Sequence, residues 1–201
     1  MKLSKRGEYA LRALINLGLA QELGCPLLRI RELAEHENIP VKFLEQILVQ
    51  LKEAGYLDSK RGKLGGYFLR KSMGKITIGE VVRLIDGPLA PIPCASRTAY
   101  ERCSCPDENH CGLRILMIDV RNAIAGILDR HTLADVVGVT FRKLRRDGAP
   151  LPSWKGPLRG APPDGAGRRP AKRKGRPAGG RSCWRKAPRS TCPRSTWRTR
   201  P

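Results

Sequence analysis

Cys94, Cys103, Cys105 and Cys111 place four thiols within eighteen residues, beside His110. Thiolates are soft donors, and such a group suits an iron–sulfur cluster, a zinc ion or a reversible thiol–disulfide pair. The intervals of eight, one and five residues lack the paired two-residue knuckles of a zinc ribbon, which argues against structural zinc. Arg97 and Arg102 are expected to lower neighbouring thiol pKa values, which keeps a thiol switch open beside the cluster. A second chemistry is carried by cations. Lys60, Arg61 and Lys63 stand just before Gly65-Gly66, and Lys42, Glu45 and Gln46 share one side of a helical repeat. Cations beside a flexible glycine pair match phosphates or a narrow minor groove, while Glu and Gln side chains address base edges. The two sets together describe a DNA-reading surface and a sensor loop.

The remaining composition narrows the class. The chain has 201 residues and a formal net charge of +21, and residues 148–201 hold 15 of the 39 Lys and Arg against one acidic residue, Asp164. A positive excess suits a polyanionic partner. His36, His110 and His131 are scattered, and neither a glycine-rich nucleotide loop nor paired catalytic carboxylates is present, so an enzyme is not expected. No stretch approaches the ~18 apolar residues of a membrane span. The basic opening Met1 to Arg6 is interrupted by Gly7, Glu8 and Arg12, unlike an export signal, so a cytoplasmic protein with reduced thiols is expected. Residues 147–201 are rich in Arg, Pro and Gly and are expected to be a disordered basic tail. Such a tail is either an arm for phosphates around Lys172-Arg173-Lys174 or an out-of-frame addition.

These chemical groups need elements to hold them. Apolar residues at helical spacing predict a first helix over residues 8–23, a second over 29–37 and a third over 40–54. Asn38 suits a left-handed turn between the last two, and Pro40 suits the first helical position. Pro26-Leu27-Leu28 is expected to be extended and to pair with a later hairpin of residues 56–60 and 67–69, turned by Gly65-Gly66. That order is a helix-turn-helix with a wing. Thr77 caps a fourth helix over 78–86, residues 88–110 form the cysteine loop, and a long helix over 111–131 carries Leu113, Leu116, Met117, Val120, Ile124, Ile127 and Leu128. Such a stripe on a small domain is a natural dimer seam, with folding back on its own domain as the other reading. A short helix capped by Thr132 follows to Val137. The fold class is therefore mainly α with a small β-wing. Residues 1–87 are the DNA-binding domain, 88–110 the sensor loop, 111–146 the dimerisation helix and short C-terminal helix, and 147–201 the tail.

Several motifs agree, in order, with one family. Met1-Lys2-Leu3-Ser4 with Tyr9-Ala10, then Phe43-Leu44-Glu45-Gln46-Ile47, Arg61-Gly62 with Gly65-Gly66-Tyr67, and Ile78-Gly79-Glu80-Val81-Val82 resemble the Rrf2 family over residues 1–140. The resemblance implies a homodimeric winged-helix transcription regulator, most simply a repressor, that binds a palindromic operator in double-stranded DNA. It implies DNA contacts from Lys42, Phe43, Glu45, Gln46, Lys60, Arg61, Lys63, Gly65 and Gly66. Many members hold a cluster on three cysteines and a variable fourth ligand, which aligns with Cys94, Cys105 and Cys111, with Cys103 as the alternative middle ligand. A 2Fe–2S cluster is favoured over 4Fe–4S. Arg114 stands where some members have a histidine ligand, so Glu8 of the partner subunit becomes the candidate fourth ligand, or else a simple surface ion pair. The competing readings are a cluster-free winged-helix regulator, a zinc- or thiol-dependent adaptor and, more distantly, a thiol oxidoreductase.

Overall fold

Ser4 starts the first helix, since its Oγ accepts from the Gly7 amide at 3.0 Å and satisfies a donor that the helix leaves open. In the computed structural model, which describes residues 3–62 and 65–154, α1 runs Lys5–Glu22, three residues earlier than the apolar pattern alone suggests. Lys63 and the tail from residue 155 onward lie outside the described residues. The helix-turn-helix follows as α2 (Ile30–Glu37) and α3 (Val41–Glu53). Asn38 closes α2 at φ 52°, ψ 48°, a left-handed conformation that an asparagine tolerates well. Pro40 takes the capping position of α3 (φ −58°, ψ 127°) rather than its first helical turn.

Two strands make the wing. β1 (Leu57–Lys60) pairs antiparallel with β2 (Gly66–Leu69), with Leu57 opposite Leu69 and Lys60 opposite Gly66. Leu28 joins as a third short rung: its amide donates to the Tyr67 carbonyl at 3.0 Å, and the Tyr67 amide donates back at 2.8 Å. The extended segment before α2 thus anchors the wing to the helical head, as its sequence suggests. At the tip, Gly62 adopts φ 112°, a conformation open to glycine. A Cβ on Gly65 would collide with the Lys60 carbonyl, so the glycine pair serves close backbone approach rather than positive φ.

α4 (Ile78–Asp86) is capped by Thr77, whose Oγ1 accepts from the Glu80 amide at 3.2 Å. A single 3-10 turn at Met73–Lys75 precedes it, and another at Pro93–Ala95 lies in the cysteine loop. α5 spans Gly112–Arg130 and α6 spans Leu133–Arg146. α6 exceeds the short helix expected to end near Val137. A capping box between Thr132 and Asp135 fixes its start, and Lys143, Arg145 and Arg146 in the last turn favour its C-terminal dipole. Leu133 and Val137 are buried in the main core, so α6 folds back onto α1.

α1 is the hub of that core, packing against α2, α3, α4 and α6. Its Ala10, Ala13, Leu14 and Leu17 meet Leu44, Ile47, Leu48 and Leu51 of α3, and Leu28, Leu33 and Leu57 close the rest. Each fully buried leucine contributes on the order of 1.5–3 kcal/mol. Small alanines on α1 let α3 approach closely while larger leucines interlock.

One polar knot ties α1 to α2. Asn16, only 5% exposed, donates from Nδ2 to a Glu37 carboxylate oxygen at 2.6 Å, and Arg12 Nε donates to the other oxygen at 2.5 Å. Arg12 also donates to the Glu37 carbonyl at 2.5 Å, so the end of α2 is tied to α1. The charge-assisted bond raises the Arg12 pKa above its ordinary value, chiefly through Glu37. Glu37→Ala strands two donors and is expected to lower the unfolding free energy by about 2 kcal/mol. Urea unfolding checks this, and Glu37→Gln, still an acceptor, is expected to recover part of the loss.

α5 stands apart from the core. None of its residues is buried, and Leu113 and Ile127 are each 57% exposed. Its inner side is not empty, however. Ala125 and Leu128 pack on Ile78, Val82 and Leu89, and Asp129 receives a two-pronged bond from Arg83 at 2.7 and 2.8 Å. The long stripe therefore divides: one edge serves its own chain, and the other stays uncovered. No helix among the described residues is long and apolar enough to cross a membrane.

Candidate nucleic-acid interface and thiol row

The packing of α2 across the inner face of α3 leaves the opposite face of α3 turned outward. Lys42, Glu45 and Gln46 are exposed on it, as the helical repeat requires. Phe43 departs from that set. Its ring is half-buried and meets Tyr9 edge-on, with centroids 5.8 Å apart and planes at 84°, so it braces α3 against α1. A depression runs between α3 and the wing, bordered by Arg31, Glu45, Lys60, Arg61, Gly62 and Gly66. A second flanks the other side of α3, where Arg6 joins Lys42, Gln46 and Gln50. Arg6 and Arg31 were not visible as part of this surface from periodicity, because they lie on α1 and α2 and reach it only through the tertiary packing.

The charges on this face are free to meet a polyanion. Lys42, Lys60 and Arg61 have no ion-pair partner among the described residues, whereas Lys52 is already paired with Asp58 at 3.3 Å. Tyr67 of β2 lies near Glu45: burial first, and then that carboxylate, push its phenol pKa upward. Helix and wing are thus neighbours on one continuous surface. α3 is in turn tied to α4, since Gln50 donates to the Leu84 carbonyl at 3.0 Å.

The four loop cysteines form a row. Cys94 is buried, and Cys103, Cys105 and Cys111 are half-buried; all four are free thiols. The Cys103 thiol interacts with Cys94 on one side and Cys105 on the other, and Cys105 interacts in turn with Cys111. Burial, then Cys103, raises the Cys94 pKa. Cys105 is pushed up to about 11, first by the Cys103 thiol and then by Cys111. Cys103 is lowered, and the leading cause is the backbone amide of Cys105 rather than Arg97 or Arg102, which corrects the expectation from charge. Among the described residues no three His, Cys, Asp or Glu side chains converge on one point. A lone tetrahedral ion needs such a point, with sulfur about 2.3 Å from zinc. A row of thiols is better matched to a body with more than one metal atom.

The loop is pinned to α5 rather than to the head. Arg114 Nε donates to the Cys94 carbonyl at 3.1 Å and pairs with Glu108 at 3.4 Å, and Arg121 donates to the Ala95 carbonyl. His110 is 85% exposed and bonded to Asp107 at 2.6 Å, outside the row. Glu8 sits in the first turn of α1, paired with Lys5 at 2.8 Å and Arg12 at 3.5 Å. Lys5 holds its carboxyl below the usual range. Its partners in this chain are therefore cations, not the loop.

Comparison with known proteins places this geometry. A family profile described as Rrf2, iron-dependent transcriptional regulator, matches residues 3–138. A Rhodobacter capsulatus protein described as an rrf2-like HTH-type transcriptional regulator is 40% identical over 137 residues, covering 67% of this chain and 91% of its own. The structure of CymR, the global cysteine regulator of Bacillus subtilis, superposes with a TM-score of 0.57 at 29% identity, covering 69% of this chain and 98% of that one. The T. potens IscR structure gives 0.54 at 26% identity, covering 70% and 88%.

Proposed function

The chain belongs to the Rrf2 family of transcriptional regulators, a winged-helix family of DNA-binding proteins rather than enzymes, and from that premise we propose that it is a homodimeric repressor whose grip on a palindromic operator is set by its thiol row. The observation that carries the proposal is the linkage of the row to the reading helix through α5 and α4. Dimerisation is supported by the uncovered edge of α5, where Leu113, Ile115, Leu116 and Ile127 are all more than half exposed. Two copies related by a twofold axis present two α3 helices, which suits half-sites about one helical turn apart.

Lys42, Glu45 and Gln46 would enter the major groove, with Glu45 accepting from a cytosine amino group and Gln46 addressing adenine or a phosphate. Lys60, Arg61 and Lys63 would hold phosphates or a minor-groove edge, framed by Gly65 and Gly66. Arg6 and Arg31 add cations at the rim. Phe43 is left to packing.

The donors fit an iron–sulfur cluster: all are soft, all lie in the loop or at its junction with α5, and each interacts with a neighbouring thiol. Cys94, Cys105 and Cys111 would hold it, with Cys103 as the alternative middle ligand, and 2Fe–2S is the favoured form. When bound, the cluster supplies an iron- and redox-sensitive cross-link between thiolates. The chain's own residues do the rest. Arg114 and Arg121 hold the Cys94–Ala95 turn on α5, the Asp129–Arg83 pair carries α5 to α4, and the Gln50–Leu84 bond carries α4 to α3. A thiol–disulfide change in the same row would act through the same chain.

The test uses the full chain, without oxygen, as apoprotein and after loading with ferrous iron and sulfide. Fluorescence anisotropy on a genomic fragment that the protein itself selects is expected to show about a tenfold difference in affinity between the two states. Arg83→Met is expected to keep DNA binding but shrink that difference to about twofold or less. A protein that sediments as a monomer and retains no fragment in either state overturns the proposal.

A further inference from the structure

We infer that Cys103 is a ligand in its own right, so that Cys94, Cys103, Cys105 and Cys111 of one protomer hold the cluster with four thiolates and no acidic residue from the partner subunit. The inference rests on the cluster reading above and assigns its fourth donor. Cys103 stands in the middle of the row: its thiol interacts with Cys94 and Cys105, and the Glu108 carboxylate acts on it from outside. Exposed Ser104 separates two half-buried cysteines, so the Cys103-Ser104-Cys105 step turns both thiols to the same side.

The Glu108 and Asp107 carboxylates and the His110 ring each have a partner outside the row. Glu108 accepts from Tyr100 at 2.6 Å and pairs with Arg114, while Asp107 holds His110. Arg114, three residues after Cys111, is committed to the Cys94 carbonyl and has no lone pair to give. Glu8 is held by two cations of its own helix. Those ion pairs are exposed and screened by solvent, so their strength alone does not keep Glu8 away. Donor chemistry decides instead. A thiolate already in the loop matches iron–sulfide better than a carboxylate that must be drawn from another subunit.

The experiment compares full-length wild type with Cys103→Ser and Glu8→Gln, loaded anaerobically with ferrous iron and sulfide. Readouts are iron and sulfide per chain, visible absorption and circular dichroism, the paramagnetic resonance of the reduced form, and the rate of iron loss to a chelator. Glu8→Gln is expected to match wild type in every spectrum. Cys103→Ser is expected to shift the sulfur-to-iron absorption and the resonance, and to lose iron about tenfold faster or more. Far-ultraviolet circular dichroism and the thermal midpoint of each apoprotein show that the fold is kept. An unchanged Cys103→Ser spectrum, or a changed Glu8→Gln spectrum, overturns the assignment while leaving the cluster reading intact. Wild type that takes up neither iron nor sulfide removes the cluster itself, a different and recognisable result.

Discussion

Gly66→Ala is expected to cost about 2 kcal/mol of stability and to weaken operator binding about tenfold or more, although the substitution adds a single methyl group. A Cβ at this position would lie 2.5 Å from the Leu28 carbonyl oxygen and 2.8 Å from its carbon. Both are backbone atoms of the strand that anchors the wing, so neither can rotate aside. Relief requires the Leu28–Tyr67 rung to open, which loses two backbone hydrogen bonds of about 0.5–1.5 kcal/mol each. The wing then keeps its hairpin but loses its fixed angle to α3. Thermal unfolding reads the first effect and anisotropy on operator DNA the second. Wild-type affinity in a stably folded Gly66→Ala protein would mean that the wing needs no anchor to work.

Arg61→Ala carries the second large effect. Arg61 is exposed at the wing tip, immediately before Gly62, with no acidic partner among the described residues. A cation so placed contributes counterion release on binding, so its removal is expected to weaken the complex about tenfold at low salt. The logarithmic salt slope should flatten by about one unit. Arg61→Lys discriminates between roles. It should restore the slope if Arg61 meets a phosphate, but not the affinity if the guanidinium enters a narrow minor groove. Titrations at several salt concentrations decide it, and an unaltered slope in Arg61→Ala removes this residue from the interface.

Much of the head was legible because local rules and tertiary needs agree there. Asn38 between two apolar helical repeats, and alternating residues around a glycine pair, each have few other ways to fold. α6 was read too short because Gly138 and the polar run after it weaken its pattern. What sustains it is burial of Leu133 and Val137 against α1, which no local window contains. Phe43, expected among the DNA contacts, is half-buried instead, with its ring edge-on to Tyr9. The arginines of the loop misled in another way. Arg97 and Arg102 are close in sequence to the thiols, yet the amide of Cys105 has the larger influence on Cys103. The roles of Arg114 and Arg121 as clamps depend on which carbonyls the loop offers them, and only the folded chain reveals that.

α5 is packed and pinned along one edge by its own chain, and its other apolar edge is left uncovered. For the proposed dimer this makes the order of α5 a matter of mass action: the unfolding midpoint of the protein should climb as its concentration is raised. Gene dosage would then act as a second input to the proposed dimer, because scarcity would favour single copies that each grasp half a site.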